Sequence, residues 1–329
     1  MNRGSSLRFG SAHLDDGAPL GPVLLVATSV IVWGCTPRVT AEAGPHAGPL
    51  TLTSLRAAPT ALVLLALLPL LRYRLPRDRG VWLWTAISGV MMVTVFLGGF
   101  TEAIIRAGPG NAIVLGSTTP FFIVILSRIL YGERVSLQAL AGLVLGFVGV
   151  VLIVSSQLGG SSGGASLAAG LALALAAALG WAIGTLIVKE MAIRHPDVDF
   201  VGVTTGQYLV GGIVLLVISF SAEGSGGADW GSGVLWLVIA FISIIGSALA
   251  TVTFFEALRR LSATTVTAWL FLSPVVAVLL EIVLGHTPKA IVFAGMALTI
   301  AGVAIVNRAP PPVAAEEPEP VSAQLSPEA

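Results

Sequence analysis

Long apolar runs separated by short polar breaks dominate the chain, and ten of those runs are close to the length that crosses a bilayer. A helix needs about 20 mostly apolar residues to span the hydrocarbon core. Runs of that kind fall near residues 20–38, 49–71, 80–104, 110–130, 136–155, 167–188, 200–220, 231–257, 264–284 and 289–307. Stretches such as Ala61–Leu71 and Leu235–Ile245 are apolar on nearly every face. The strands of a membrane β-barrel would instead alternate polar and apolar positions over about 10 residues. The pattern therefore predicts an all-α integral membrane protein. Residues 1–17 are polar and rich in Gly and Ser, which predicts a flexible tail. Residues 309–329 are rich in Pro and Glu and predict a disordered one. No short cleavable leader is evident, so the first run is expected to be a retained span.

Composition agrees with the pattern. Apolar residues make up 55% of the chain and charged residues only 10%, against roughly 25% charged in ordinary soluble domains. The net charge is zero, which gives no reason to expect a nucleic-acid partner. The single cysteine, Cys35, leaves no intramolecular disulfide to form. With the N-terminus inside, thirteen of the 17 Lys and Arg residues fall on the cytoplasmic side. Only Arg38, Arg106 and Lys289 fall outside, and Arg56 lies within a span. Positive residues collect on the cytoplasmic side of membrane proteins, so both termini are expected there and the protein in the inner (cell) membrane.

The chain also repeats itself. Glu102-Ala103 with Arg106 matches Glu256-Ala257 with Arg260 at an offset of 154, and Thr119-Pro120 matches Ser273-Pro274 at the same offset. Gly142 and Gly149 match Gly295 and Gly302 at 153, as Gly132 matches Gly285. Trp33-Gly34 matches Trp181-Ala182 at 148, and Leu64-Leu65 matches Leu215-Leu216 at 151, which sets Arg56 opposite Gln207. The expected organisation is one five-helix repeat over 18–156, a Gly/Ser hinge over 157–166 and a second repeat over 167–308. An odd number of spans per copy forces the second copy to insert upside down, so the fold class is ten transmembrane helices as two inverted five-helix repeats.

Trp33-Gly34, Pro49-Leu50-Thr51 through Arg56, Pro120 followed by Gly132-Glu133-Arg134-Val135-Ser136, and the paired glycines near 142–149 and 295–302 resemble the EamA-type drug/metabolite transporter family over about residues 20–307. The resemblance implies a secondary transporter, often an exporter, with a central cavity lined by spans one to four and six to nine and with spans five and ten peripheral. The chain departs from the family pattern at Gly285-His286, where Gly-Glu is usual.

Several intramembrane residues are candidates for chemistry. Arg56 lies about 10 Å inside its span, where a charge costs roughly 2.5–3.5 kcal/mol on insertion scales. It should face the interior and attract an anionic or carboxylate-bearing substrate, or else close a structural ion pair or snorkel to the interface. Gln207 is its uncharged counterpart, able to hydrogen-bond a substrate or to join helices. Trp33 and Trp181 lie too deep to belong to an interfacial belt and read as a cavity wall or as packing. Asn111, Thr119 and Ser273 supply further polar groups to the substrate cavity. Glu102 and Glu256, each four residues before an Arg, are ordinary helix-end ion pairs or matched gate or proton-coupling groups. Glu281, near a span end, either is a third carboxylate for proton coupling or simply reaches interfacial water.

No phosphate-binding loop and no metal-ligand spacing occur, so no cofactor and no metal are expected. The partners expected are the lipid bilayer and a small-molecule substrate, and Gly142, Gly146 and Gly149 would permit close helix contact, either within the chain or between the subunits of a homodimer. An exporter of a small metabolite or drug-like solute is the leading reading. An uncoupled channel and, less favoured, a membrane-embedded enzyme are the alternatives.

Overall fold

The computed structural model describes residues 20–70, 72–155, 165–224, 228–285 and 287–310. The expected N-terminal tail, the expected C-terminal tail beyond Pro310 and all but the last two residues of the expected hinge lie outside these, while Ala165 and Ser166 already belong to a helix. Among the described residues ten helices are long and apolar enough to cross a membrane: α1 (Leu20–Thr40), α2 (Pro49–Leu70), α3 (Arg79–Ala107), α4 (Asn111–Tyr131), α5 (Leu137–Val154), α6 (Ser166–Arg194), α7 (Phe200–Glu223), α8 (Gly233–Arg260), α9 (Ala263–Val283) and α10 (Ala290–Arg308). They coincide with the ten apolar runs. Several extend beyond the apolar stretch because charged ends such as Lys189–Arg194 and Glu256–Arg260 continue the helix.

Local chemistry sets the ends. Asp78, Ser136, Ser232 and Ser262 each accept a hydrogen bond from a backbone N–H in the first turn of α3, α5, α8 and α9, which satisfies one of the donors a helix start leaves open. Gly132 and Gly285 adopt positive φ of 66° and 90° at the ends of α4 and α9, a conformation that side chains with a Cβ resist. The two are repeat partners, so the sequence match marks a shared helix stop. The Pro120 and Pro274 pair marks a shared break. α4 is interrupted between Gly116 and Thr119, and α9 tightens into a 3₁₀ turn over Trp269–Phe271.

Helix contacts obey the exchange of the two halves. α2 packs along α7, and α5 packs along α10. α1 packs on α8 and α9, as α6 packs on α3 and α4. Loop contacts follow the same rule. Asp229 N–H donates to the carbonyl of His46, joining the α1–α2 and α7–α8 loops, and Arg74 N–H donates to Asp199, joining the α2–α3 and α6–α7 loops. The α5–α10 crossing is the clearest case. A Cβ on Gly142 would lie 2.8 Å from the carbonyl oxygen of Gly302, and one on Gly295 would lie 2.7 Å from that of Gly149. Exchanging each residue for its partner turns the first contact into the second, as a half-turn in the membrane plane requires. These glycines are thus used within the chain, bringing two backbones together where lipid offers no hydrophobic drive for association. α5 and α10 otherwise pack mainly on α4 and α9, at one side of the bundle.

One feature was not legible in the pattern. α3 and α8 each contain a π-helical segment, Val90–Gly98 and Ile244–Leu249. Both start at the same repeat position, since 90 and 244 differ by 154. A π segment disturbs the regular ladder and is frequent at functional sites.

Candidate functional site

The π segment of α8 organises the centre of the molecule. The carbonyl of Gly246 accepts two hydrogen bonds, one from Trp33 Nε1 of α1 and one from Arg56 Nη2 of α2, both at 3.0 Å. Arg56 Nε also donates to the hydroxyl of Ser247. Two helices thus converge on one irregular turn of a third. The backbone carbonyl of Arg56 accepts from the hydroxyls of Ser243 and Thr60, which fixes α2 against α8 below the guanidinium. Among the described residues Arg56 forms no ion pair with a carboxylate.

Beside this cation stands an aromatic cluster. The rings of Trp33 and Trp181 meet edge to face at 5.4 Å, and Phe254 lies 5.3 Å from Trp33 and 5.5 Å from Trp181. Phe96, from the π segment of α3, lies 4.6 Å from Trp181. These separations fall in the range of favourable aromatic pairs. The indole N–H of Trp181 is buried without a hydrogen-bond acceptor among the described residues.

Of the residues singled out in the sequence, Trp33, Arg56 and Trp181 come together here. Gln207 does not join them. It lies in the α3–α7 seam, where its amide donates to the Ser88 hydroxyl at 2.8 Å and the backbone of Gly89 approaches its own. Thr119 donates to the Gly116 carbonyl at 2.8 Å and faces the carbonyl of Ala178 on α6 at 3.4 Å. Ser273 supports α1 from α9, its carbonyl facing Gly34. Asn111 folds back on the Ala107 carbonyl at the α3–α4 turn. Glu102 pairs with Arg106 at 2.9 Å, and Glu256 with Arg260 at 2.6 Å and Arg259 at 3.2 Å. Both are helix-end pairs of partly exposed groups. Glu281 reaches Arg38 of α1 at 3.8 Å, and Arg38 also holds Glu42 at 2.8 Å.

Sequence reasoning missed Gly246, Ser247, Phe96 and Phe254, whose role depends on the π segments and on contacts between residues far apart in the chain. It also missed Lys189. The ammonium of Lys189 donates to the carbonyls of Leu258 at 2.7 Å and Leu261 at 2.9 Å, tying α6 to the C-terminal end of α8. A cation there also meets the negative end of the helix dipole. The repeat partner of Lys189 is Ala41, which carries no side-chain donor. Near Lys189, in the α4–α5 loop, burial pushes the Glu133 carboxyl above the usual carboxylate range, an effect that the charge of Lys189 and a hydrogen bond from Ser127 partly offset.

Comparison with known proteins agrees with this architecture. The model of the EamA-like transporter family matches the chain twice, over residues 20–155 and 168–308. The chain is 28% identical over 287 residues to the uncharacterized transporter YvbV of Bacillus subtilis, covering 86% of this chain and 90% of that one. It is 28% identical over 263 residues to the uncharacterized inner membrane transporter YedA of Escherichia coli K12, covering 78% and 80%. It is 28% identical over 250 residues to the protein PecM of Dickeya dadantii, covering 76% and 79%. A protein of known crystal structure shares the fold with a TM-score of 0.74 at 23% identity, over 86% of this chain and 95% of that one. With ten spans in two inverted copies, each matched separately by the family model, the chain belongs to the EamA-like transporter family.

Proposed function

We propose that this protein is a secondary carrier that exports a small solute by alternating access, with both termini in the cytoplasm. The observation that carries the reading is an inequality between equivalent positions. Trp181 is 7% exposed, whereas its partner Trp33 is partly exposed. Gln207 is 1% exposed, whereas its partner Arg56 is partly exposed. Thr60 and Ser243 hold the α2–α8 seam through hydroxyls. Their partners Gly211 and Gly89 close the α3–α7 seam backbone to backbone. Two copies of one unit thus stand in different arrangements, the α3–α7 seam closed backbone to backbone and the α2–α8 seam held through side chains, and we read this as closure on the side of the termini and opening on the other. The same sequence logic supports the exchanged arrangement, and passage between the two moves a bound solute.

In this reading α2–α7 and α5–α10 are the fixed posts. Glu223, at the end of α7, accepts from the N–H groups of Leu50 and Thr51 and from the Thr51 hydroxyl, clamping one end of the α2–α7 pair. Asp199 clamps the other end. Glu102, Glu256 and Glu281 stand at the mouths as gate or proton-coupling groups. The substrate-contacting residues are those around Gly246.

The test is accessibility in oriented vesicles. With Cys35→Ser as background, Arg56→Cys and Gln207→Cys report equivalent depths from opposite sides. An impermeant thiol reagent is expected to reach residue 56 only from outside and residue 207 only from the cytoplasmic side. A reagent that protects one position should increase labelling at the other. Simultaneous access to both from one side would mean a continuous pore and would defeat the proposal.

A further inference from the structure

The centre of the molecule combines a cation that pairs with no carboxylate among the described residues and a cluster of packed aromatic side chains, and the two are adjacent because Arg56 and Trp33 share one acceptor, the Gly246 carbonyl. We propose that this is the substrate site and that it takes an organic monoanion with an apolar, preferably aromatic, body. The inference rests on the carrier reading above and adds the class of solute.

Three observations support it. First, the two hydrogen bonds of Arg56 go to neutral oxygens and use two of the five N–H groups of a guanidinium. Its charge stays uncompensated by any acid among the described residues. A carboxylate from the solute would supply the missing charge in the planar, two-pronged geometry a guanidinium favours. Second, Trp181 is nine-tenths buried and its indole N–H has no acceptor among the described residues. Its partner Trp33 does bond a carbonyl of the π segment facing it, so the two equivalent indoles differ in this respect. A buried donor left unmade costs roughly 1–3 kcal/mol, a cost that a solute oxygen would remove. Third, the neighbouring groups are rings. Trp33, Phe96, Trp181 and Phe254 lie within 4.6–5.5 Å of one another in the pairs given above. They would cover an aromatic body well and a strongly hydrated one poorly.

The arrangement also excludes. A zwitterion would bring an ammonium group next to Arg56. The acids Glu102, Glu256 and Glu281 are at helix ends, already engaged with Arg106, Arg260 and Arg38. An organic cation has no acceptor charge here at all.

The experiment uses the full chain, purified in detergent, and three probes of matched size: 3-phenylpropionate, 3-phenylpropan-1-ol and 3-phenylpropylammonium. Binding is read from tryptophan fluorescence and by isothermal titration. The anion is expected to bind saturably, at least about tenfold tighter than the alcohol, as a charge-assisted contact in a partly desolvated site provides. The cation is expected not to bind. Arg56→Gln should lose that preference, Arg56→Lys should keep part of it, and Trp181→Phe should weaken the anion while leaving the anion-over-cation order intact. Equal binding of the three probes by the wild-type protein, or tighter binding of the cation, overturns the proposal without needing any variant to fold. So does an Arg56→Gln protein that folds and retains the anion preference. The accessibility test above is done without solute, so alternating labelling together with no anion preference would remove this inference alone.

Discussion

Replacing Gly295 by Ala tests whether α5 and α10 are held by backbone contact. The added Cβ would lie 2.7 Å from the carbonyl oxygen of Gly149 and 2.9 Å from the amide nitrogen of Ile153. Ordinary contact starts near 3.4 Å, so the helices must part by about 0.7 Å at the crossing (3.4 − 2.7), because both atoms are backbone and neither can rotate away. A gap of 0.5–1 Å forfeits about a quarter to a half of each dispersion well along the seam. The seam is built from Leu143, Val150, Ile153, Met296, Val303 and Val306, all buried. Lipid returns little directional packing, so the loss should approach the usual cost of overpacking, about 2–3 kcal/mol. Gly142→Ala makes the exchanged contact, 2.8 Å from the Gly302 carbonyl, and should cost nearly the same. Gly233→Ala meets nothing within 4 Å and is the control. Thermal unfolding in a mild detergent should show the two seam variants lowered together by several degrees and the control unchanged. Seam variants as stable as wild type, or unequal by more than about 1 kcal/mol, would refute the half-turn geometry assigned to this crossing.

Glu223→Ala removes the three bonds that cap the start of α2 and should cost about 1–2 kcal/mol in the same assay, with Glu223→Gln intermediate. Lys189→Met frees the end of α8 and should speed thiol labelling of Gln207→Cys from the side of the termini while slowing that of Arg56→Cys. Because the folded-state pKa of Glu133 is raised, the fold holds its proton longer than the unfolded chain does. Stability should therefore fall as pH rises from the ordinary carboxylate value through the raised one, and then level off. Glu133→Gln should remove that slope from a series of unfolding midpoints taken against pH. Glu102→Gln and Glu256→Gln, measured for flux in liposomes, should slow transport with the protein still folded if the pairs gate the mouths; unchanged flux would leave them as plain helix-end pairs.

The ten helices and their inverted pairing were legible because both rest on local signals. Apolar length gives the spans. Gly132 with Gly285 and Pro120 with Pro274 mark the same stop and the same break in each copy. The site was legible only in part. Arg56, Trp33 and Trp181 stood out as residues too costly or too deep for an ordinary lipid-facing position. Their common acceptor did not, because Gly246-Ser247 is an unremarkable dipeptide until a π segment presents its carbonyl to two distant helices. Gln207 was paired with Arg56 by the repeat, yet lies in a closed seam. The repeat specifies equivalent backbone positions, whereas burial depends on which of two arrangements the pair of copies has taken.

The wide turns of α3 and α8 have a consequence for how these helices can be altered. An α-helix advances 100° per residue, so one residue accommodated in a π turn resets the azimuth of everything beyond it by about that angle. Deleting a single residue from Ile244–Leu249 would restore the α-helical ladder and swing Phe254 about a quarter turn around the helix axis, out of the aromatic cluster and toward other neighbours. The wide turn therefore sets the angle between the two ends of α8, much as a keyed joint sets the angle between two shafts.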